Sequence, residues 1–127
     1  MSIHAAVWLD HHEARVFHVT ADADVESTLK VPAHHVHHAK KGERSSGTVD
    51  HATAQFFDAV AKELSDAQEI LVMGPGQAKL AFFRHLHAHH RALEPKVVGV
   101  ETVDHPSDAQ LVAHVRAYFR ARDRVLG

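Results

Sequence analysis

Residues 3–20 read IHAAVWLDHHEARVFHVT, and how this stretch folds decides the architecture. Ile3–Leu9 is a short apolar run that stops at a polar cluster, the pattern of a buried strand. Asp10–Glu13, DHHE, is a turn signal. Ala14–Thr20 alternates, with Val16 and His18 on one face and Arg15, Phe17 and Val19 on the other. That period of two predicts a second strand, so the stretch closes an antiparallel hairpin. Trp8 falls in the first strand and is expected in the core.

Working outward, Asp24–Val31, DVESTLKV, predicts a third strand that ends at Pro32. Residues 32–50 lack apolar periodicity and are expected to form a flexible, His-rich loop. A connection that long in a small domain is usually functional or disordered. Asp50 can cap a helix whose apolar positions are Phe56, Phe57, Val60, Ala61 and Leu64, spaced as a helix requires. Phe56 and Phe57 are adjacent, so one of them is expected to point partly outward. Glu69–Met73, EILVM, predicts a buried strand broken by Gly74-Pro75-Gly76. Gln77–Leu93 predicts a helix with Leu80, Phe83 and Leu86 inward, ended by Glu94 and Pro95. Lys96–Val103 predicts the last strand. After the loop DHPSD, Ser107 and Gln110 form a capping box for a helix that buries Leu111, Val115, Tyr118 and Phe119. The order is β-β-β-α-β-α-β-α. Hairpins feeding right-handed βαβ crossovers give a mixed five-stranded sheet with helices on its faces, the ribonuclease H-like topology. There is no internal repeat, and residues 1–127 are expected to form one domain.

Composition limits the function classes. The chain has 127 residues, 45% hydrophobic and 24% charged, as in ordinary globular domains. It has no cysteine, which rules out disulfides, thiolate metal sites and a Cys nucleophile. Neither a basic-then-apolar leader nor a membrane-length apolar run is visible, so a cytoplasmic protein without membrane association is expected. Formal net charge is −2 with histidines neutral. That is not the balance of a strongly basic nucleic-acid binder. Fifteen histidines stand out. With unperturbed imidazole pKa values near ~6.5, mild acidification should swing the net charge positive.

Four of those histidines, His34, His35, His37 and His38, occur within five positions. Lys40, Lys41 and Arg44 follow. Two chemistries suit this set besides plain solvation. The cations can neutralise phosphates, and imidazoles can stack on unpaired bases, so the seven residues are candidate RNA contacts. Neutral imidazole also ligates zinc and other divalent transition metals, and His35 and His37, joined by His51 or by His11 and His12, are candidate ligands. Gly74 and Gly76 with Lys79 are a candidate anion site at a helix start, although the pattern is not a full P-loop and Pro75 removes a donor. His85 and His89 stand four apart on a helix, a spacing that can clamp a metal, but surface histidines are the simpler expectation. A two-metal nuclease would need converging carboxylates. Asp10 with Asp58 or Glu63 could supply two, yet the fourth strand ends LVMG without an acid, and no catalytic residue is assigned. No serine sits in a recognisable nucleophile turn.

HAAVWLDHHEARVFHV, a long polar loop, a helix, EILVMGPGQAKLAFFRHL and KVVGVETVDHPSDAQLVAHVRAYF together resemble the middle domain of archaeal and eukaryotic class-1 peptide-chain release factors and of Pelota. The resemblance extends to small bacterial stand-alone proteins of the "translational machinery protein" family. It implies the same α/β fold and a connection with the ribosome or ribosomal RNA. In those release factors the loop after the third strand carries Gly-Gly-Gln, which assists water in cleaving the peptidyl ester. The corresponding segment here has no Gly-Gly-Gln, and GPGQ at Gly74–Gln77 follows the wrong strand. The expected function is therefore a non-catalytic, ribosome- or RNA-associated accessory role in stalled or stressed translation, with no cofactor required. A metal-binding or metal-responsive protein using the same histidines is the alternative, and a hydrolase with an unrecognised site the third. A homodimer through an exposed sheet edge is compatible with the pattern.

Overall fold

The computed structural model of the chain describes residues 4–22, 24–33 and 51–126. Five strands, β1 (His4–Leu9), β2 (Glu13–Val19), β3 (Val25–Pro32), β4 (Glu69–Gly74) and β5 (Val97–Thr102), form one open sheet in the order β3-β2-β1-β4-β5. Three helices, α1 (His51–Glu63), α2 (Ala78–His89) and α3 (Asp108–Leu126), flank it, with a 3₁₀ turn at Glu94–Lys96. β1 pairs antiparallel with β2 and parallel with β4. β2 pairs antiparallel with β3, and β4 parallel with β5. This is the mixed α/β sheet that the hairpin and the crossovers predict.

β1 has a neighbour on each side and helices on both faces, and every one of its residues is buried. That explains a continuous apolar run where a half-exposed strand would alternate. Ala5, Val7 and Leu9 face one core with Ala14, Val16, Ile70 and the helices α1 and α2. Ala6, Trp8, Phe17, Leu71 and Met73 face the other, closed by Leu111, Val115 and Phe119 of α3. Trp8 is fully buried, and its indole Nε1 donates to the carbonyls of Val103 (3.1 Å) and Asp104 (2.8 Å). That satisfies the one polar atom of the ring. The capping box forms as expected: Gln110 N donates to Ser107 Oγ (3.1 Å), and Ser107 N to Gln110 Oε1 (2.9 Å).

Three expectations need correction. α2 stops at His89, not Leu93, and its inner face is Ala78, Lys79, Phe82, His85 and Leu86. Leu80 is exposed and Phe83 half-buried. Only three residues separate β4 from α2, so the first helical turn lies on the sheet, and the 3.6-residue period then brings 82, 85 and 86 inward. Neither Phe56 nor Phe57 points outward. Both are buried, because α1 packs on the sheet and on α2 at once, and a helix with two neighbours buries a wider arc. Phe57 meets Phe82 edge-on, with ring centroids 5.5 Å apart. Tyr118 is half-buried, while Phe119 beside it is fully buried.

Candidate functional site

β1, β4 and β5 are parallel, so their carboxyl ends share one edge of the sheet, where ligand sites of open α/β sheets concentrate. β3 ends at the same edge, because Pro32 pairs with Glu13 at the start of β2. α1 begins there too. The segment 34–50 is thus joined to the fold at this edge through Ala33 on one side and His51 on the other.

The root of that segment is built around Asp10. Its Oδ1 accepts from the backbone N–H of His12 (2.8 Å) and of Glu13 (3.0 Å), which fixes the hairpin turn. Ala33 N donates to the His12 carbonyl at 2.9 Å, tying the end of β3 to the same turn. Burial alone would push the Asp10 carboxyl up. The two backbone N–H groups and His105 outweigh it and hold the carboxyl below its usual range. A cleft of about 160 Å³ opens beside the turn, between Asp10, His11 and Ala33 on one wall and Ala52, Thr53 and Phe56 on the other.

Further along the edge, the Arg15 guanidinium lies over the Trp8 ring, 4.7 Å from its centroid. It donates to Glu13 (3.0 Å), the Pro106 carbonyl (3.0 Å) and Asp108 (3.2 Å). Lys30 lies 3.1 Å from Glu13. Burial raises the Glu13 carboxyl, and these two cations more than reverse that. Arg15 and Lys30 are therefore already matched by acids.

Gly74, Gly76 and Lys79, read from the sequence as a candidate anion site, lie at the turn from β4 into α2. A side chain at Gly74 would collide with the Leu9 carbonyl, so the glycine is what lets β4 lie against β1 there. Lys79 is buried, and its ammonium donates to the Gly76 carbonyl at 2.6 Å. His51, the first residue of α1, is exposed. His34, His35, His37, His38, Lys40, Lys41 and Arg44 lie outside the described residues, as does the proposed cap Asp50.

The carboxylates of the nuclease pattern do not gather. Asp10 is in the hairpin turn. Asp58 is in the middle of α1, and Glu63 ends it, its carbonyl accepting from His18 Nε2 at 2.9 Å. Among the described residues, the sets able to converge on one ion are Asp58, His85 and His90, and His4, Glu69 and Asp123. In the first, one oxygen of Asp58 accepts from His85 Nε2 and from His90 Nε2, each at 2.7 Å. These two bonds hold the Asp58 carboxyl below its usual range. His85 is buried against Phe57, not a surface residue as expected. The sequence spacing paired His85 with His89. The structure pairs it with His90, because α2 ends at His89 and His90 leaves the helical path (φ −135°, ψ 60°), its N–H still donating to Leu86 O. Sequence periodicity assumes that the helix continues, so it misses a pair made by a cap residue. In the second set, His4 Nε2 lies 3.4 Å from Glu69 and 3.6 Å from Asp123, with the ring stacked on Phe119.

No protein-family model matches the chain, and no curated protein matches it. Solved structures do. The chain is similar to Thermoplasma acidophilum Pelota (21% identity, TM-score 0.59), over 85% of its own length and 30% of that protein. It is similar to the archaeal translation termination factor aRF1 (14%, TM-score 0.55), over 96% of its length and 38% of that chain. It is similar also to S. cerevisiae Dom34, a translation termination-like factor involved in RNA quality control pathways and interacting with Hbs1 (15%, TM-score 0.52), over 98% and 40%. The chain thus spans about a third of the length of the structures it matches. At these identities the likeness is one of fold, and it is the fold of the release-factor-like proteins that the sequence resembles.

Proposed function

We propose that the chain is a non-catalytic accessory protein of translation, which associates with the ribosome or ribosomal RNA through residues 34–50. The proteins of known structure that share its fold include a translation termination factor and a termination-like factor of RNA quality control, and this supports a translation-related role. One observation carries the choice of contact surface. The segment with His34, His35, His37, His38, Lys40, Lys41 and Arg44 is rooted at the edge where β1, β4 and β5 end, and the cations of that edge, Arg15 and Lys30, are matched by Glu13 and Asp108. In this reading the attraction for phosphate comes from the segment. Without Gly-Gly-Gln the segment docks and does not promote peptide release. Crosslinking in cell lysate should recover ribosomal RNA on the protein. Replacing Lys40, Lys41 and Arg44 together by alanine should abolish most of the co-sedimentation with ribosomes. If the triple variant pellets as the parent does, the segment is not the contact.

A further inference from the structure

Asp58, His85 and His90 combine two imidazoles and a carboxylate, the donor types that zinc and its neighbours take together. Their three ligand atoms lie within 4.8 Å of one another. Each donor comes from a differently anchored place. Asp58 is on α1, His85 is buried on α2 against Phe57, and His90 is the residue that ends α2. Two of the three are therefore held in position without a metal, which lowers the ordering cost of binding one. Around a zinc ion with bonds of ~2.0–2.1 Å, tetrahedral ligand atoms stand about 3.3 Å apart. The two hydrogen bonds of 2.7 Å need to open only slightly, and Asp58, with more than half of its side chain exposed, is free to turn outward.

The other convergent set is a poorer host. Glu69 in that set already receives the Arg122 guanidinium at 3.0 and 3.3 Å, which places a positive charge where an ion would sit. Among the described residues Asp58 forms no ion pair with an Arg or Lys, its hydrogen-bond donors being the two imidazoles. Next to it lies an open depression of about 270 Å³ that Asp58 and His90 line with Lys62, Ser65 and Lys96.

We infer that Asp58, His85 and His90 bind one divalent transition ion of the zinc class, leaving a coordination position open to the depression beside Lys62 and Lys96. Each imidazole uses Nε2, so the ion replaces the two Nε2–H donors that now bond Asp58. Two nitrogens in three donors disfavour magnesium and calcium. None of the three ligands belongs to the His-rich segment.

The test must remove the competing histidines. A variant with His34, His35, His37 and His38 changed to alanine, untagged and purified without a metal column, should retain one equivalent of zinc after dialysis. Cobalt(II) in its place should give the visible spectrum of a four- or five-coordinate site. Adding Asp58→Asn, or separately His90→Ala, should raise the zinc dissociation constant by more than the ~10–100-fold that loss of an outer-shell partner costs. Zinc should also raise the melting temperature of the four-alanine variant and not that of the Asp58→Asn variant, since an ion that binds only the folded state stabilises it. Both added changes fall on partly exposed residues, and the fluorescence of Trp8, the one tryptophan, checks folding in each. Loss of zinc in the four-alanine variant, or equal affinity with and without Asp58→Asn, would overturn the assignment.

Discussion

Asp10 shows how much one side chain does at the root of the segment. Its carboxylate accepts from the backbone N–H groups of His12 and Glu13, and its second oxygen lies 3.5 Å from His105. Alanine there should cost about 1–2 kcal/mol, the scale of a lost charge-assisted hydrogen bond to a half-buried side chain. The pH dependence has a definite sign. The folded carboxyl is depressed, so its contribution is complete above the unfolded value of ~3.9 and fades as pH falls through the folded value. Urea melts of parent and Asp10→Ala should therefore differ at neutral pH and begin to draw together only as pH falls below about 4. A gap that persists in acid would mean that the turn does not depend on the ionised carboxylate. At the same scale, Lys79 follows a glycine turn, and one donor of its buried ammonium goes to the Gly76 carbonyl.

The elements were largely legible from the sequence, and the faces of α2 were not. β1 and β2 declare themselves because apolar runs and alternation are local properties, and the capping box of α3 is a contact between residues three apart. The buried face of α2 depends on how soon the chain turns out of β4, which is a tertiary constraint. Phe82 and Phe83 look alike in sequence, and Leu86 is compatible with either choice. The same limit hid the Asp58–His85–His90 cluster, which joins two helices and a cap. The corrected face can be checked directly. Phe82→Ala should cost about 3–5 kcal/mol, since it empties a position that is fully buried and in contact with Phe57. Leu80→Ala, at an exposed position, should cost less than about 1 kcal/mol. Equal costs in chemical denaturation would return the helix to the face that its apolar residues suggested.

For the whole molecule, the open sheet leaves two edge strands, and each carries an exposed apolar side chain, Leu29 on β3 and Val100 on β5. These are the strands available to the homodimer that the sequence pattern allows. Charge bears more directly on the proposed contact with RNA, since the net charge of the protein is −2. Long-range attraction cannot come from the total, so the proposed binding requires a local group of cations at short range, where screening by salt is steep. Along the described edge Arg15 and Lys30 are matched by acids, which leaves Lys40, Lys41 and Arg44 as the group the proposal depends on. Removing those three cations takes the formal charge from −2 to −5. If each contacts one phosphate, the slope of log affinity against log salt should fall in magnitude by about 2–3, near the 0.7–0.9 per phosphate that counterion release gives. Titrating ribosome co-sedimentation with potassium chloride measures that slope for parent and triple variant. A parent whose binding is indifferent to salt would exclude phosphate contact by this segment, and a slope that survives the triple change would move the contact elsewhere on the fold.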